Sequence, residues 1–465
     1  MTTSLKALSD QAQALKQQGQ RYEAIDLYEK VTTLYPESAV AEHNLAAALG
    51  DVGRGSEAEK HIRHAFAKGL NAPESWLVLA RALLAQGKLN EARNAFEKTI
   101  ELSPDMLVAH YEHAQLIWMS TADRAAAIAP LDAEIRSSPD RVELYGTKAR
   151  VMMYTSGAEA TYPFVAASLQ RWPNDVKLLG VAIDSAILVG ELESALEMSD
   201  RLITLRPASF AAKEMRAYAL LASGRADEAL VLAQAMSDAD PGDQYALAML
   251  ATAGRLVGDA RYPQLYNYEE FVRPYKLSAP QGWESLADYL TDLGAALRAR
   301  HPFKTHPFSN SGEHGSKISD LLEMDDPAIR ALPQAFGPAV DAHIEHLGTG
   351  TDPLRSRNTG RWKIDGIWSV WLKPNGFHHN HVHPTAWLSS ACYIELPDQV
   401  DAGGQEGWIK FGEPGPVTSP RLSYEHAVKP EPGMVVLFPS YMWHGTIPFG
   451  GDKPRLSVAF DIVPD

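Results

Sequence analysis

Glycine and proline recur through the first half of this chain with a fixed period. Glycines stand at Gly19, Gly53, Gly87, Gly157, Gly190, Gly224 and Gly258, and prolines at Pro36, Pro104, Pro139, Pro173, Pro207 and Pro241, 34 residues apart or a near multiple of it. Small residues keep the same beat: Ala12, Ala46, Ala80, Ala217 and Ala251 come seven before a glycine, and Ala24, Ala58, Ala92, Ala195 and Ala229 five after one. Glycine permits the tight turn between two antiparallel helices. Alanine lets the paired helices approach closely, and proline closes the second helix and opens the link to the next unit. A fixed period is what stacked units produce, whereas a helical bundle has no need of one. The expectation is an all-α solenoid with a concave face for a peptide or protein, or for assembly of copies of the chain.

The clearest copy, WLVLARALLAQGKLNEARNAFEKTIELSP from Trp76 to Pro104, resembles the tetratricopeptide repeat, including its tryptophan, leucine and alanine positions. The resemblance runs from about Ser4 to Pro263. The units near Met106 to Pro173 are degenerate and carry an extra residue. The solenoid is expected over 1–262.

From Tyr262 to about Leu347 the register is lost. YPQLYNYEEFVRPY is an aromatic connector. GWESLADYLTDLGAALRAR reads as an amphipathic helix, with Leu286, Leu290, Leu293 and Leu297 near helical spacing. HPFKTHPFSNSGEHGS reads as a loop whose His301, His306 and His314 are either solvated or metal-binding, and whose Lys304 and Ser309 to Ser316 are candidates for the mouth of a site. DDPAIRALPQAFGPAVDAHIEHL carries interrupted helical spacing. This helical lead-in is expected over 263–347.

The β-roll core is expected over 348–465. IWSVWLKP, LSSACYIELP, GWIKFGEP, GMVVLFPS and RLSVAFDIVP are short, rich in β-branched and aromatic residues, and bounded by turn formers, as in a compact sandwich or jelly roll. In the last strand Leu456, Val458, Phe460 and Ile462 alternate with Arg455, Ser457, Ala459 and Asp461. An arginine directed into a small β-roll is costly unless it meets an anion.

Between these strands GFHHNHVHP packs His378, His379, His381 and His383 into six positions, and His444 follows about sixty residues later in FPSYMWHGTIP. Neutral imidazole is a common metal ligand, and two residues apart on a strand share a face. The pairs His379/His381 and His381/His383 both meet that condition. The order His-x-His, distal His, then Arg-x-Ser resembles the iron(II)- and 2-oxoglutarate-dependent oxygenases. It looks closest to a branch with HxHPxxxLSxxYY-like and lFPsxxxH…PRxS-like signatures, matched here by HVHPTAWLSSACYIELP and GMVVLFPSYMWHGTIPFGGDKPRLSVAF. The resemblance covers about Trp368 to Val463. It implies a double-stranded β-helix, with Fe(II) on His381, His383 and His444. Arg455 and Ser457 would hold the distal carboxylate of 2-oxoglutarate, and Tyr393 would donate a further hydrogen bond. O2 would be consumed and a C–H bond hydroxylated. This register puts Pro384 and Tyr393 where the family has them, and leaves His379 behind the ligands. Trp387 and Trp371, with Trp443 and Phe438, are candidates for the shell that excludes water.

The sequence departs from the family at His383, where the commonest triad has a carboxylate. Three neutral ligands leave the site one negative charge short, and an aspartate there is expected to keep or improve iron affinity. Halogenation, which needs a small residue at that position, is disfavoured. The substrate is a peptide or protein side chain read by the repeats, or a free amino acid or small natural product with the repeats serving assembly. A non-catalytic metal-binding adaptor is the third reading.

The remaining bounds are weak but consistent. A net charge of −15 disfavours nucleic acid. No apolar run reaches membrane-spanning length, and MTTSLKALSDQAQALKQQGQ lacks the apolar core of a secretion signal. The single Cys392 fits a reducing, cytoplasmic compartment.

Overall fold

The periodic residues sit where helix-pair packing needs them. All seven glycines have φ between +71° and +86°, open to glycine at little cost, and Gly190 and Gly258 form the left-handed turn that closes a helix. All ten periodic alanines are at most 1% exposed. The computed structural model describes residues 4–308 and 311–465. It forms two compact units, 1–151 and 152–465.

The first unit is a run of antiparallel helix pairs, such as Ala39–Asp51 with Gly55–Ala67 and Pro73–Ala85 with Leu89–Leu102. Serine caps start two of its helices: the Ser4 and Ser38 hydroxyls accept from the amides of Ala7 and Ala41. The extra residue of the degenerate stretch has a structural consequence. Ala122 takes the left-handed position after helix Leu107–Thr121, at φ +59°, where the regular units place glycine.

The second unit holds further pairs, Val176–Val189 with Leu192–Leu205 and Phe210–Ala222 with Ala226–Ala239, then Gln244–Val257, which packs on Ala226–Ala239. Among the described residues nine strands follow: β1 (Arg273–Lys276), β2 (Gly312–Ser319), β3 (Trp362–His378), β4 (Leu388–Glu395), β5 (Ile409–Phe411), β6 (His426–Val428), β7 (Met434–Pro439), β8 (His444–Thr446) and β9 (Arg455–Pro464). The large antiparallel sheet has the order β1-β7-β4-β9-β3-β2, and the small one β6-β5-β8. The molecule is thus a helical solenoid followed by an antiparallel β-roll with flanking helices, Leu286–Arg298 and Leu332–Leu347.

Two parts of the lead-in differ from expectation. The connector supplies β1, and the loop GEHGS lies in β2; these strands form the two edges of the large sheet. Edge strands are short and tolerate glycine, proline and charge, so neither shows the alternation that marks a central strand. Of the loop residues expected at the mouth, Ser309 and Asn310 lie outside the described residues.

One buried apolar cluster runs without a break from Ala217 and Leu247 of the repeat helices to Phe438 and Ile462 of the roll. Polar links reinforce it. The Trp443 indole donates to Thr252 Oγ1 at 2.9 Å, and the Tyr441 hydroxyl to the Leu265 carbonyl at 2.9 Å. Arg255 donates to the carbonyls of Gly412 and Ser423, and the Ser419 amide to that of Leu221. The last repeat helices are therefore part of the wall of the roll.

Candidate metal centre

The strand register brings three histidines together. His381 and His444 form an isolated antiparallel bridge with reciprocal backbone bonds of 2.9 and 3.1 Å. His383 lies two residues along from His381. The ligand atoms of His381, His383 and His444 lie within 4.8 Å of one another.

Each of these rings has its outer nitrogen taken. Nδ1 of His381 donates to the His379 carbonyl at 2.8 Å, and Nδ1 of His444 to the Met442 carbonyl at 3.0 Å. Nδ1 of His383 meets both oxygens of Asp461, at 2.6 and 2.8 Å. Carbonyls and carboxylates only accept, so Nδ1 carries a proton in all three rings, and Nε2 is the ring atom left to face a metal. Burial and neighbouring imidazoles push the His381 pKa down to about 3 and that of His444 well below the usual range. Both rings are neutral at physiological pH. The Ser311 hydroxyl spans His378 Nδ1 at 3.0 Å and His381 Nε2 at 3.2 Å, where a metal would compete with it for the His381 nitrogen.

The histidines border a cavity of about 310 Å³ whose deeper wall holds Arg455 and Ser457. Arg455 is 3% exposed. Its Nη1 donates to the Gly407 carbonyl at 3.0 Å and to Thr446 Oγ1 at 3.3 Å, while Nε has no partner among the described residues. The guanidinium lies 4.8 Å from the ring centre of Tyr393, which is fully buried with its hydroxyl also unpartnered. Burial raises the tyrosine pKa to about 12, so the phenol keeps its proton. Ser457 reaches only the Val370 carbonyl, at 3.5 Å. The orphaned Arg455 Nε and Tyr393 hydroxyl, next to three imidazoles that present Nε2, fit a carboxylate ligand beside a metal ion.

The other expected residues fall elsewhere. His379 contributes its carbonyl to His381, while its exposed ring meets Glu313 at 3.2 Å. Trp387 is core, its indole bonded to the Leu354 carbonyl. Trp371 faces away from the cavity and packs on His301 with ring centres 5.8 Å apart. Register explains this: Trp368, Val370 and Leu372 pair with Ala459, Ser457 and Arg455, so the even-numbered residues of β3 face the cavity. Trp368, not singled out in the sequence, therefore lies against His383 at 5.5 Å. Phe438 lies against His444 at 4.5 Å. His301 is a buried structural residue between Ser316 and Ser369. Asp461 was visible only as a member of the polar face of the last strand.

A second group with metal-ligand spacing, Glu42, His61 and His64, lies in the first unit. Its carboxylate is already ion-paired to Lys68 at 2.6 Å.

A β-roll with a histidine triad and a buried arginine defines a class of metal-dependent oxygenase domains. Consistent with that class, residues 366–461 match the profile of a family described as "Putative 2OG-Fe(II) oxygenase". Three tetratricopeptide-repeat profiles match residues 6–38, 73–106 and 183–244. The chain is thus a fusion of tetratricopeptide repeats with a domain of the 2OG-Fe(II) oxygenase type. No curated protein matches it. Among solved structures it is similar to a tetratricopeptide repeat protein from Parabacteroides merdae, with 13% identity, a TM-score of 0.38, and coverage of 54% of this chain and 98% of the other. Another is yeast Tom70, with 17% identity, a TM-score of 0.42, and 54% of each chain covered. No helix among the described residues is long and apolar enough to cross a membrane.

Proposed function

We propose that the chain is an Fe(II)- and 2-oxoglutarate-dependent hydroxylase acting on a peptide or protein side chain recruited by its repeats. The observation that carries this reading is the joint geometry of His381, His383 and His444, each presenting Nε2, and the buried, partly unpartnered Arg455 behind them.

With iron and 2-oxoglutarate bound, the centre would couple oxidative decarboxylation of the co-substrate, yielding succinate and carbon dioxide, to insertion of one oxygen atom of O2 into a C–H bond. The protein supplies geometry and charge. Arg455 pairs with the far carboxylate of the co-substrate through a charge-assisted bond, and the Tyr393 hydroxyl donates to the same group. The three Nδ1–H bonds fix the ring orientations and tautomers. Trp368 and Phe438 shield two of the ligands from water. Repeat solenoids present extended surfaces suited to peptides, which favours a protein substrate over a free small molecule.

The test is succinate release from 2-oxoglutarate by the iron-loaded protein, alone and with candidate peptides. Release stimulated by peptides supports the proposal. Stimulation by free amino acids or small natural products alone points to a small-molecule hydroxylase, and no release from any iron-loaded preparation to a metal-binding adaptor.

A further inference from the structure

One cation on the cavity wall is not among the residues assigned above to the metal or the co-substrate. Lys317 lies on the edge strand β2 and lines the cavity. It pairs with Val370, Val370 with Ser457, and Ser457 with Tyr393, so four strands carry one row of residues across the sheet. Directly paired residues project to the same face. Lys317 therefore shares its face with the Ser457 hydroxyl and the Tyr393 ring. Its ammonium rests 4.5 Å from the ring centre of Trp368, and that ring lies 5.5 Å from His383. The charge thus sits over Trp368, on the side of that ring that leads to His383.

Lys317 makes no ion pair among the described residues. The carboxylates close enough to act on it are Asp461 and Asp320. Asp461 is committed to His383 and to the Ser389 hydroxyl at 2.8 Å, and Asp320 is exposed. Charge balance then singles out the lysine. A divalent metal cancels the dicarboxylate, and Arg455 cancels Asp461. Lys317 remains as a partly buried positive charge without a counterion, a costly state that an incoming anion would relieve.

We infer that Lys317 selects the substrate: the group brought to the metal carries a carboxylate, held by the ammonium over Trp368. This rests on the reading of the centre as a 2-oxoglutarate oxygenase. An acidic peptide side chain and the carboxylate of a free amino acid share this chemistry, and the test separates them.

The experiment uses the full chain loaded with Fe(II) and the unreactive dicarboxylate N-oxalylglycine under argon, with binding followed by calorimetry. The probes are capped aspartate and glutamate amides, the isosteric capped asparagine and glutamine amides, and free aspartate and glutamate. Acids should bind at least tenfold more tightly than their amide isosteres. Lys317→Gln should abolish that difference, and Lys317→Arg should retain it, both with unchanged metal content. Preference for capped acids identifies a peptide source, and preference for free acids a small-molecule one; either supports the inference. Equal binding of acid and amide, discrimination that survives Lys317→Gln, or no binding of any acid overturns it. Succinate release without added substrate tests the underlying reading separately. If release occurs without acid preference, only the assignment of Lys317 fails; if neither iron nor N-oxalylglycine binds, the oxygenase reading fails with it.

Discussion

The Nδ1 of His383 lies 2.6 and 2.8 Å from the two carboxylate oxygens of Asp461. The negative charge missing from the ligand set is thereby restored one hydrogen bond further out. A carboxylate behind a metal-binding imidazole fixes its tautomer and raises its basicity, and losing such a partner weakens metal binding by about 10–100-fold. Asp461→Asn should therefore lower Fe(II) affinity in that range, as read by metal titration, with the fold intact by circular dichroism. Unchanged affinity would mean that the pair only packs the strand. The same contact alters the expectation for His383→Asp. Beside Asp461 the new carboxylate would meet a like charge, so the single change should weaken iron binding. The double change with Asp461→Asn should recover part of it.

Arg455 has a different signature. Among the described residues its buried Nε has no partner, and the nearby Tyr393 hydroxyl has none either. A hydrogen bond to a charged group contributes about 1.5–3 kcal/mol, or roughly 10- to 150-fold in binding. Arg455→Ala should raise the 2-oxoglutarate concentration for half-maximal succinate release by at least about tenfold, with iron content near normal. Loss of iron with unchanged co-substrate dependence would contradict this role.

The helix pairs, the main strands and the His381/His383/His444 grouping could all be read from the sequence, because each rests on a period or a fixed offset. The 34-residue beat corresponds to left-handed glycines and buried alanines, and the two-residue offset corresponds to a shared strand face. What escaped was information that only pairing supplies. Trp368 and Trp371 look equivalent in IWSVWLKP, and only the register with Arg455 and Ser457 decides which faces the cavity. The edge strands β1 and β2 carry no alternation to read. Asp461 was in view on the polar face of the last strand, but its contact with His383 joins residues 78 apart in sequence.

Thr252 and Trp443 tie the last repeat helix to the segment that carries His444. The indole is 3% exposed and donates to Thr252 Oγ1, which in turn donates to the Ala248 carbonyl at 2.8 Å. Thr252→Val keeps the shape and leaves a buried N–H unsatisfied, at a cost of about 1–3 kcal/mol. Chemical denaturation should show that loss. By the same argument, a fragment beginning at residue 263 lacks the helix that covers Trp443 and should be insoluble, whereas one beginning at 152 should fold. Solubility and a cooperative unfolding transition distinguish them.

Asp184 gives the second unit a pH dependence. It sits half-buried on helix Val176–Val189, with Glu214 of helix Phe210–Ala222 close enough to act on it. Burial, reinforced by the Glu214 carboxylate, raises its pKa to about 7. In the unfolded chain an aspartate titrates near 4. Between about pH 4 and 7 the unfolded state ionises while the folded state keeps its proton, so this residue lowers stability progressively as pH rises through that window, and the loss levels off above it. Asp184→Asn removes the penalty. It should leave denaturation midpoints unchanged near pH 4 and raise stability at pH 8 by about 2 kcal/mol, after allowance for partial exposure. Equal effects of the substitution at both pH values would show that Asp184 is ionised in the folded protein throughout.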